Sequence, residues 1–467
     1  MGLHTVEKIG GTSMSRFGEL LNNIFLGKRS GADLYNRVFV VSAYSGITNM
    51  LLEHKKTGES GVYQYFANGD SAWMDALDNV EKRMCEINEE MIEYGLKLSE
   101  ANEFINERIS GIKNCLQDLE RLCSYGHFQL TDYLLAAREL LSSIGEAHSA
   151  YNSVEILKAR NINAIFCDLT GWKDNRNLTF QQKIEESFKD IEFSKSLCIA
   201  TGYTKCREGL METFDRGYSE ITFSKIACVT KAREGIIHKE FHLCSGDPNL
   251  VGIDKVEIIG NTNFDVADQL ADLGMEAIHP KASKDMENHD IPIRVKNAFE
   301  PEHPGTLISK DFKSEKHRVE MVTGRTDIVA IEVMDPDMVG QSGYDFRICG
   351  HFAKLKISYI AKNTNANTIT HYVSNKHKNI DALVEHLKNE FPAASVRIKD
   401  VALVSAIGSN MSYPGFLAKA SGKLAGANIN ILAVDQCMRQ VNMQFVIEKT
   451  DFENAVKALH AAVVEEF

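Results

Sequence analysis

The chain has 467 residues, of which 44% are hydrophobic and 25% charged, and a formal net charge of −12. That length predicts two to four domains and ample apolar material for a large core. The acidic balance excludes non-specific nucleic-acid or acidic-membrane binding as a main role. No apolar stretch approaches the roughly 18 residues that a membrane span needs, so neither nucleic acid nor membrane is expected as a partner.

The ten cysteines form no C-x-x-C pair, and by spacing they argue against a disulfide framework or a zinc site. Reduced thiols and a cytoplasmic location are the expectation. The opening MGLHTVEKIGG offers no apolar run of signal-peptide length.

In chain order, residues 4–8 read as a short strand and Gly10-Gly11-Thr12-Ser13 as a turn. Met14, Phe17, Leu20, Leu21, Ile24 and Phe25 recur at helical spacing. Val38-Phe39-Val40-Val41 is a continuous apolar run of the kind buried in parallel sheets. Residues 72–143 are long, charged and amphipathic, which predicts helices. Strands follow at 162–166, 197–201 and 235–241. Strands alternating with helices predict an α/β domain with helices on both faces of its sheet, spanning 1–310.

The polar segment DFKSEKHR (311–318) reads as a linker, and an internal repeat follows it. DIVAIEVMDPDM from Asp327 aligns with DVALVSAIGSNM from Asp400, and ISYIAK from Ile357 aligns with INILAV from Ile429. Each copy carries a loop glycine (Gly343, Gly415), and final helices are expected at 381–390 and 451–465. Two ferredoxin-like βαββαβ domains, 319–394 and 395–467, are the expectation. A single irregular α+β domain is the alternative.

Lys8-Ile9-Gly10-Gly11-Thr12-Ser13 sits between strand and helix. Paired glycines let phosphate oxygens reach backbone N–H groups, and a lysine at the strand end places a compact positive charge beside them. The pattern is neither a Walker loop nor a GxGxxG fingerprint, and a purely structural turn fits it equally well.

Taken together, VEKIGGTS, VVSAYSGITN (40–49), SIGEAHSA (143–150), IHP (278–280) and NAFEPEHPGTLIS (297–309) resemble, in order, the motifs of the aspartate kinase family. The terminal repeat resembles that family's paired ACT domains. FDRGYSEITFS (214–224) and EFHLCSGDPNLVG (240–252) resemble the branch associated with ectoine synthesis.

The resemblance implies a three-layer αβα amino-acid-kinase domain followed by two ACT-type domains. It also implies phosphorylation of the aspartate β-carboxylate by ATP, with Mg²⁺ held mainly through the ATP phosphates and no dedicated metal ligands. By the same resemblance Lys8, Arg216 and Glu220 are catalytic, and Lys8, Gly10, Gly11, Ser13, His238, Lys239 and Asp247 meet ATP. Ser42, Thr48, Glu146, Arg216 and Ser219 meet aspartate. The effector loop is expected at Met338, Gly340, Gly343 and Asp345, and a homodimer through the ACT-like domains.

A carboxylate and a guanidinium suit a free amino acid's two charges. Each could also be a solvated carboxylate or a surface ion pair.

The chain departs from the family pattern at several points. Tyr218 stands for a glycine, and Glu220 for an aspartate. His238 and Lys239 stand for Thr-Asp, Cys244 for a tyrosine, Asn249 for an arginine, and Glu276 for a lysine. Two other readings are a glutamate- or acetylglutamate-type acyl-phosphate kinase and a catalytically weak amino-acid sensor.

Overall fold

The computed structural model describes residues 2–55, 57–214, 217–275 and 278–465. The chain divides into two compact units, Met1–His242 with Lys281–Ser309, and Leu243–Pro280 with Lys310–Phe467.

The first unit is built on strands β1 (Thr5–Ile9), β2 (Arg37–Val41), β3 (Ala164–Cys167), β4 (Leu197–Thr201), β5 (Glu234–Lys239), β6 (Ile293–Asn297) and β7 (Thr306–Ile308). They lie in the order β3-β4-β2-β1-β5-β6-β7. Pairing is parallel except between β6 and β7. β2 and β4 are buried along their whole length, because helices cover both faces.

Side chains alternate between those faces. Ile9, Phe39 and Val41 share a core with Ile144, Val154 and Leu157 of the helix Leu134–Ala159. On the Lys8 side, a Cβ at Gly235 would collide with Phe223 of the helix Tyr218–Thr230. The predicted three-layer arrangement is therefore present. β1 lies at the point where the chain, having built outward through β2, turns to β5 on the other side. In open α/β sheets ligands bind beyond the carboxyl ends of strands at such a switch point.

The single helix expected over residues 14–25 is broken into Gly11–Met14, Phe17–Leu20 and a π-helical turn Leu21–Leu26. The apolar positions still face the core. The wider last turn accompanies bonds from the Arg37 guanidinium to the carbonyls of Ile24 (2.8 Å) and Phe25 (3.0 Å).

In the second unit, β8 (Met321–Met334), β9 (Ala361–Thr364), β10 (Thr368–Ser374), β11 (Ser395–Ile407), β12 (Ile431–Gln436) and β13 (Asn442–Ile447) form one antiparallel sheet. Its order is β9-β10-β8-β11-β13-β12. Among the described residues three cores lie against it, the third around Val266 and Leu270. Val329, Ile331 and Val333 pack with Ile348, Phe352, Leu383 and Leu387. Ala402, Val404 and Phe445 pack with Phe416, Leu424 and Leu459.

The partition differs from the division expected at residues 310 and 395. Val319 and Val322, from before the first repeat, belong to the second core, so β8 and β11 each serve the first and second cores. Leu243–Pro280, expected within the first domain, belongs to the second unit. Val251 enters the second core, and Val266 and Leu270 pack with Met321, Ile328 and Leu403.

Candidate active site

At the carboxyl end of β1, Lys8 extends its ammonium to 3.3 Å from Glu220 Oε1 on the helix Tyr218–Thr230. The glycine turn begins immediately afterwards. A Cβ at Gly11 would come within 2.7 Å of the Ala43 carbonyl oxygen, so that position requires glycine for close approach rather than for a positive φ. The Ser42 N–H donates to the Ile9 carbonyl at 3.1 Å, tying the loop after β2 to the same turn. Ser13 Oγ donates to Glu240 Oε1 at 2.7 Å, just beyond β5. The resemblance had not pointed to Glu240; its placement straight after a strand that neighbours β1 was the available signal.

Beside this turn lies the Glu146 carboxylate. The helix Leu134–Ala159 is buried over its central turns, and Glu146 is only 2% exposed. Gly145 allows the close packing: a Cβ there would collide with Ala43 and crowd Ile47. Thr48 follows Ile47 in the short helix Ile47–Leu51. Ser149, one turn beyond Glu146, donates from Oγ to the Ser42 carbonyl at 2.8 Å.

Ser219 Oγ donates to Glu146 Oε1 at 2.8 Å, and Gly202, after β4, leaves room for both. Burial pushes the Glu146 carboxyl up to about 8, against the opposing pull of Ser219, the Tyr203 backbone and the Lys8 charge. A carboxyl held this way is primed for a cation that reaches it in a dry site.

Lys8, Gly10, Gly11, Ser13, Ser42, Glu146, Ser219 and Glu220 are thus gathered beyond the strand ends, with Thr48 on the adjoining short helix. Lys239 ends β5, where its carbonyl accepts from Ala298 N at 2.8 Å. Arg216 and Glu276 lie outside the described residues.

His238 is placed differently from the expectation. It is buried, with Nε2 2.8 Å from Glu7 Oε2, and Glu7 is in turn held by the Arg37 guanidinium at 2.7 and 3.1 Å. Glu7 and His238 project from the sheet face opposite Lys8, because the strand period is two. Asp247 belongs to the second unit, where it caps the short helix Pro248–Val251 by accepting from Asn249 N at 2.9 Å.

In the expected effector loop, Met338 is buried in the first ACT-like core. Gly340 (φ 78°) and Gly343 (φ 79°) take left-handed conformations, and Asp345 pairs with Lys362 at 2.7 Å.

Residues 4–297 match the amino acid kinase family, and residues 404–463 match an ACT domain. Over 465 residues the chain is 55% identical to "Aspartate kinase Ask_Ect" of Stutzerimonas stutzeri, covering 99% of this chain and 98% of that one. The chain belongs to the amino acid kinase family, in its aspartate kinase branch. "Aspartokinase 1, chloroplastic" of Arabidopsis thaliana is 25% identical, over 99% of this chain and 81% of its own length. E. coli aspartokinase III, solved with aspartate and ADP, shares the fold with a TM-score of 0.71 at 21% identity, covering 98% of this chain and 99% of that one. Among the described residues, no helix of this family member is long and apolar enough to cross a membrane.

Proposed function

We propose that this protein is an ATP-dependent aspartate kinase, transferring the γ-phosphoryl of ATP to the β-carboxylate of L-aspartate to give 4-phospho-L-aspartate and ADP. The observation that carries this reading is the buried Glu146 carboxyl, bonded to Ser219 and set beside the Lys8–glycine turn. A substrate ammonium belongs at such a carboxylate, and a polyphosphate belongs at such a turn.

The substrate β-carboxylate is already ionised near neutral pH, so its attack needs no general base. One of its oxygens bonds to the γ-phosphorus as the β,γ-bridging oxygen departs with ADP. What the protein must supply is positioning and relief of anion–anion repulsion. Lys8 Nζ stands where transferring charge would build up, and Glu220 holds it in place until phosphate arrives. Gly10 and Gly11 keep the backbone open to phosphate oxygens. Ser42, Thr48 and Arg216 are assigned to aspartate by the family resemblance.

The residues present fit Mg²⁺. The Glu240 carboxylate beside Ser13 would repel a polyphosphate at the turn unless a cation stood between them, and oxygen donors are what this hard ion takes. Bound there, Mg²⁺ would neutralise phosphate charge.

The test is ADP release by the purified protein with aspartate, glutamate or acetylglutamate as acceptor. Aspartate-dependent turnover is expected. Turnover only with glutamate or acetylglutamate gives the site to a related acyl-phosphate kinase, and none with any acceptor makes the chain a sensor.

A further inference from the structure

A second cluster of reactive side chains lies in the first ACT-like core, away from the catalytic groups and including Asp345 of the expected effector loop. Asp345 and Cys349 are four residues apart on the helix Tyr344–Lys354, which puts them on one face. That helix packs near β10, from which His371 projects. Cys349 Sγ lies 3.6 Å from Asp345 Oδ1 and 3.8 Å from His371 Nε2, and the three donor atoms all fall within 4.8 Å of one another.

The two separations from sulfur are close to the edges of a tetrahedral zinc site. Bonds of about 2.3 Å to sulfur and about 2.0 Å to nitrogen or oxygen put neighbouring ligand atoms roughly 3.5 Å apart.

The surroundings orient each donor. His371 is fully buried, with the Phe352 ring at 4.5 Å and the Tyr359 ring edge-on at 5.0 Å. Lys362 occupies Asp345 Oδ2 at 2.7 Å, leaving Oδ1 turned towards the thiol. The half-buried Cys349 and Asp345 leave the fourth corner open to solvent.

We propose that Asp345 Oδ1, Cys349 Sγ and His371 Nε2 form a binding site for a zinc-class divalent cation, with water as the fourth ligand. The thiolate and imidazole select zinc, cobalt or copper over magnesium and calcium. On ligation the Cys349 thiol gives its proton to solvent, and the cation clasps the helix after Gly343 to the sheet. The sequence concealed this set because its members are spaced i, i+4 and i+26 across a helix and a strand, without a C-x-x-C signature.

The full-length protein, stripped with a chelator and titrated with Co²⁺, tests the site. One Co²⁺ per chain with a thiolate-to-cobalt charge-transfer band is expected, displaced by Zn²⁺ and not by Mg²⁺. Cys349→Ser should abolish the band and weaken Zn²⁺ binding by at least about tenfold. Asp345→Asn, which keeps the side-chain shape, should weaken Zn²⁺ by a similar factor and provides a second reading should Cys349→Ser fold poorly. An unchanged band in Cys349→Ser would assign the metal to other thiols and overturn the proposal. So would displacement by Mg²⁺, or no cobalt uptake.

Discussion

Lys8 and Glu220 stand 212 residues apart in the chain, yet the lysine ammonium and the glutamate carboxylate are 3.3 Å from each other. One is the penultimate residue of the strand at the sheet's switch point, and the other lies in the first turn of the helix Tyr218–Thr230. Lys8→Ala is expected to lower kcat at least about a hundredfold with the fold retained, since a preorganised charge on a transferring phosphoryl contributes a few kcal/mol. Near-normal turnover would remove Lys8 from the mechanism.

Glu220 carries an extra methylene relative to the aspartate usual in the family, and the contact with Lys8 shows where that added reach goes. Glu220→Ala should be severely impaired, and Glu220→Asp only modestly slower. Steady-state kinetics on the two variants decides this, and wild-type behaviour of the alanine form would refute it.

Glu146 links activity to pH. Its carboxyl sits at about 8 in the ligand-free protein, yet aspartate's ammonium needs the ionised form. Below that pH, binding must expel a proton, so aspartate affinity should climb as pH approaches 8 and level off above it. The slope should approach about tenfold per pH unit. Glu146→Gln should flatten the profile and cost about 1.5–3 kcal/mol of aspartate binding, with ATP little affected.

Folding stability runs the other way. A raised folded-state pKa contributes stability that is present below the ordinary carboxylate range and lost as pH rises through about 8. Ligand-free Glu146→Gln should therefore melt above wild type at about pH 9 and alongside it near pH 4. Thermal melts at the two pH values check the sign.

The Glu7–Arg37–His238 network is a folding device. Arg37→Met leaves Glu7 as a buried unpaired charge and should cost about 3–5 kcal/mol in urea unfolding. His238→Gln should lower stability while leaving the KM for ATP unchanged. A large rise in that KM would return His238 to the nucleotide site.

Assembly and regulation supply a last expectation. Pairing of ACT-like domains between chains would cover exposed sheet edges, and a homodimer is expected by light scattering. KNTNANTIT (362–370) lacks the serine-glutamate pair that accompanies lysine effectors in the family, so lysine inhibition should be weak or absent and threonine the more effective ligand. A monomer at micromolar concentration, or strong inhibition by lysine, would contradict the corresponding half.

Much of this architecture was legible beforehand. The apolar run at Val38–Val41 and the Gly10-Gly11 pair are local signals, and the structure turns them into a buried parallel strand and a close backbone approach. His238 lies on the face opposite Lys8, which motif position could not report because a one-residue difference along a strand reverses the face. Glu240 was missed because its meaning depends on Ser13, a neighbour 227 residues away. The halves of β8 were hidden for a similar reason: which core Val322 and Val329 join depends on partners far away in the chain.

That continuity of β8 and β11 has a practical outcome. No single cut of the polypeptide releases either ACT-like core intact. A fragment ending at residue 394 would strand Val322 without Val404 and Phe445, and a fragment beginning at 395 would expose the β11 edge that Val322–Arg325 covers. Dissection by truncation would yield aggregates where two tidy modules were sought. Point substitution, or permutation that keeps residues 319–467 together, is the workable route to separating what the two cores do.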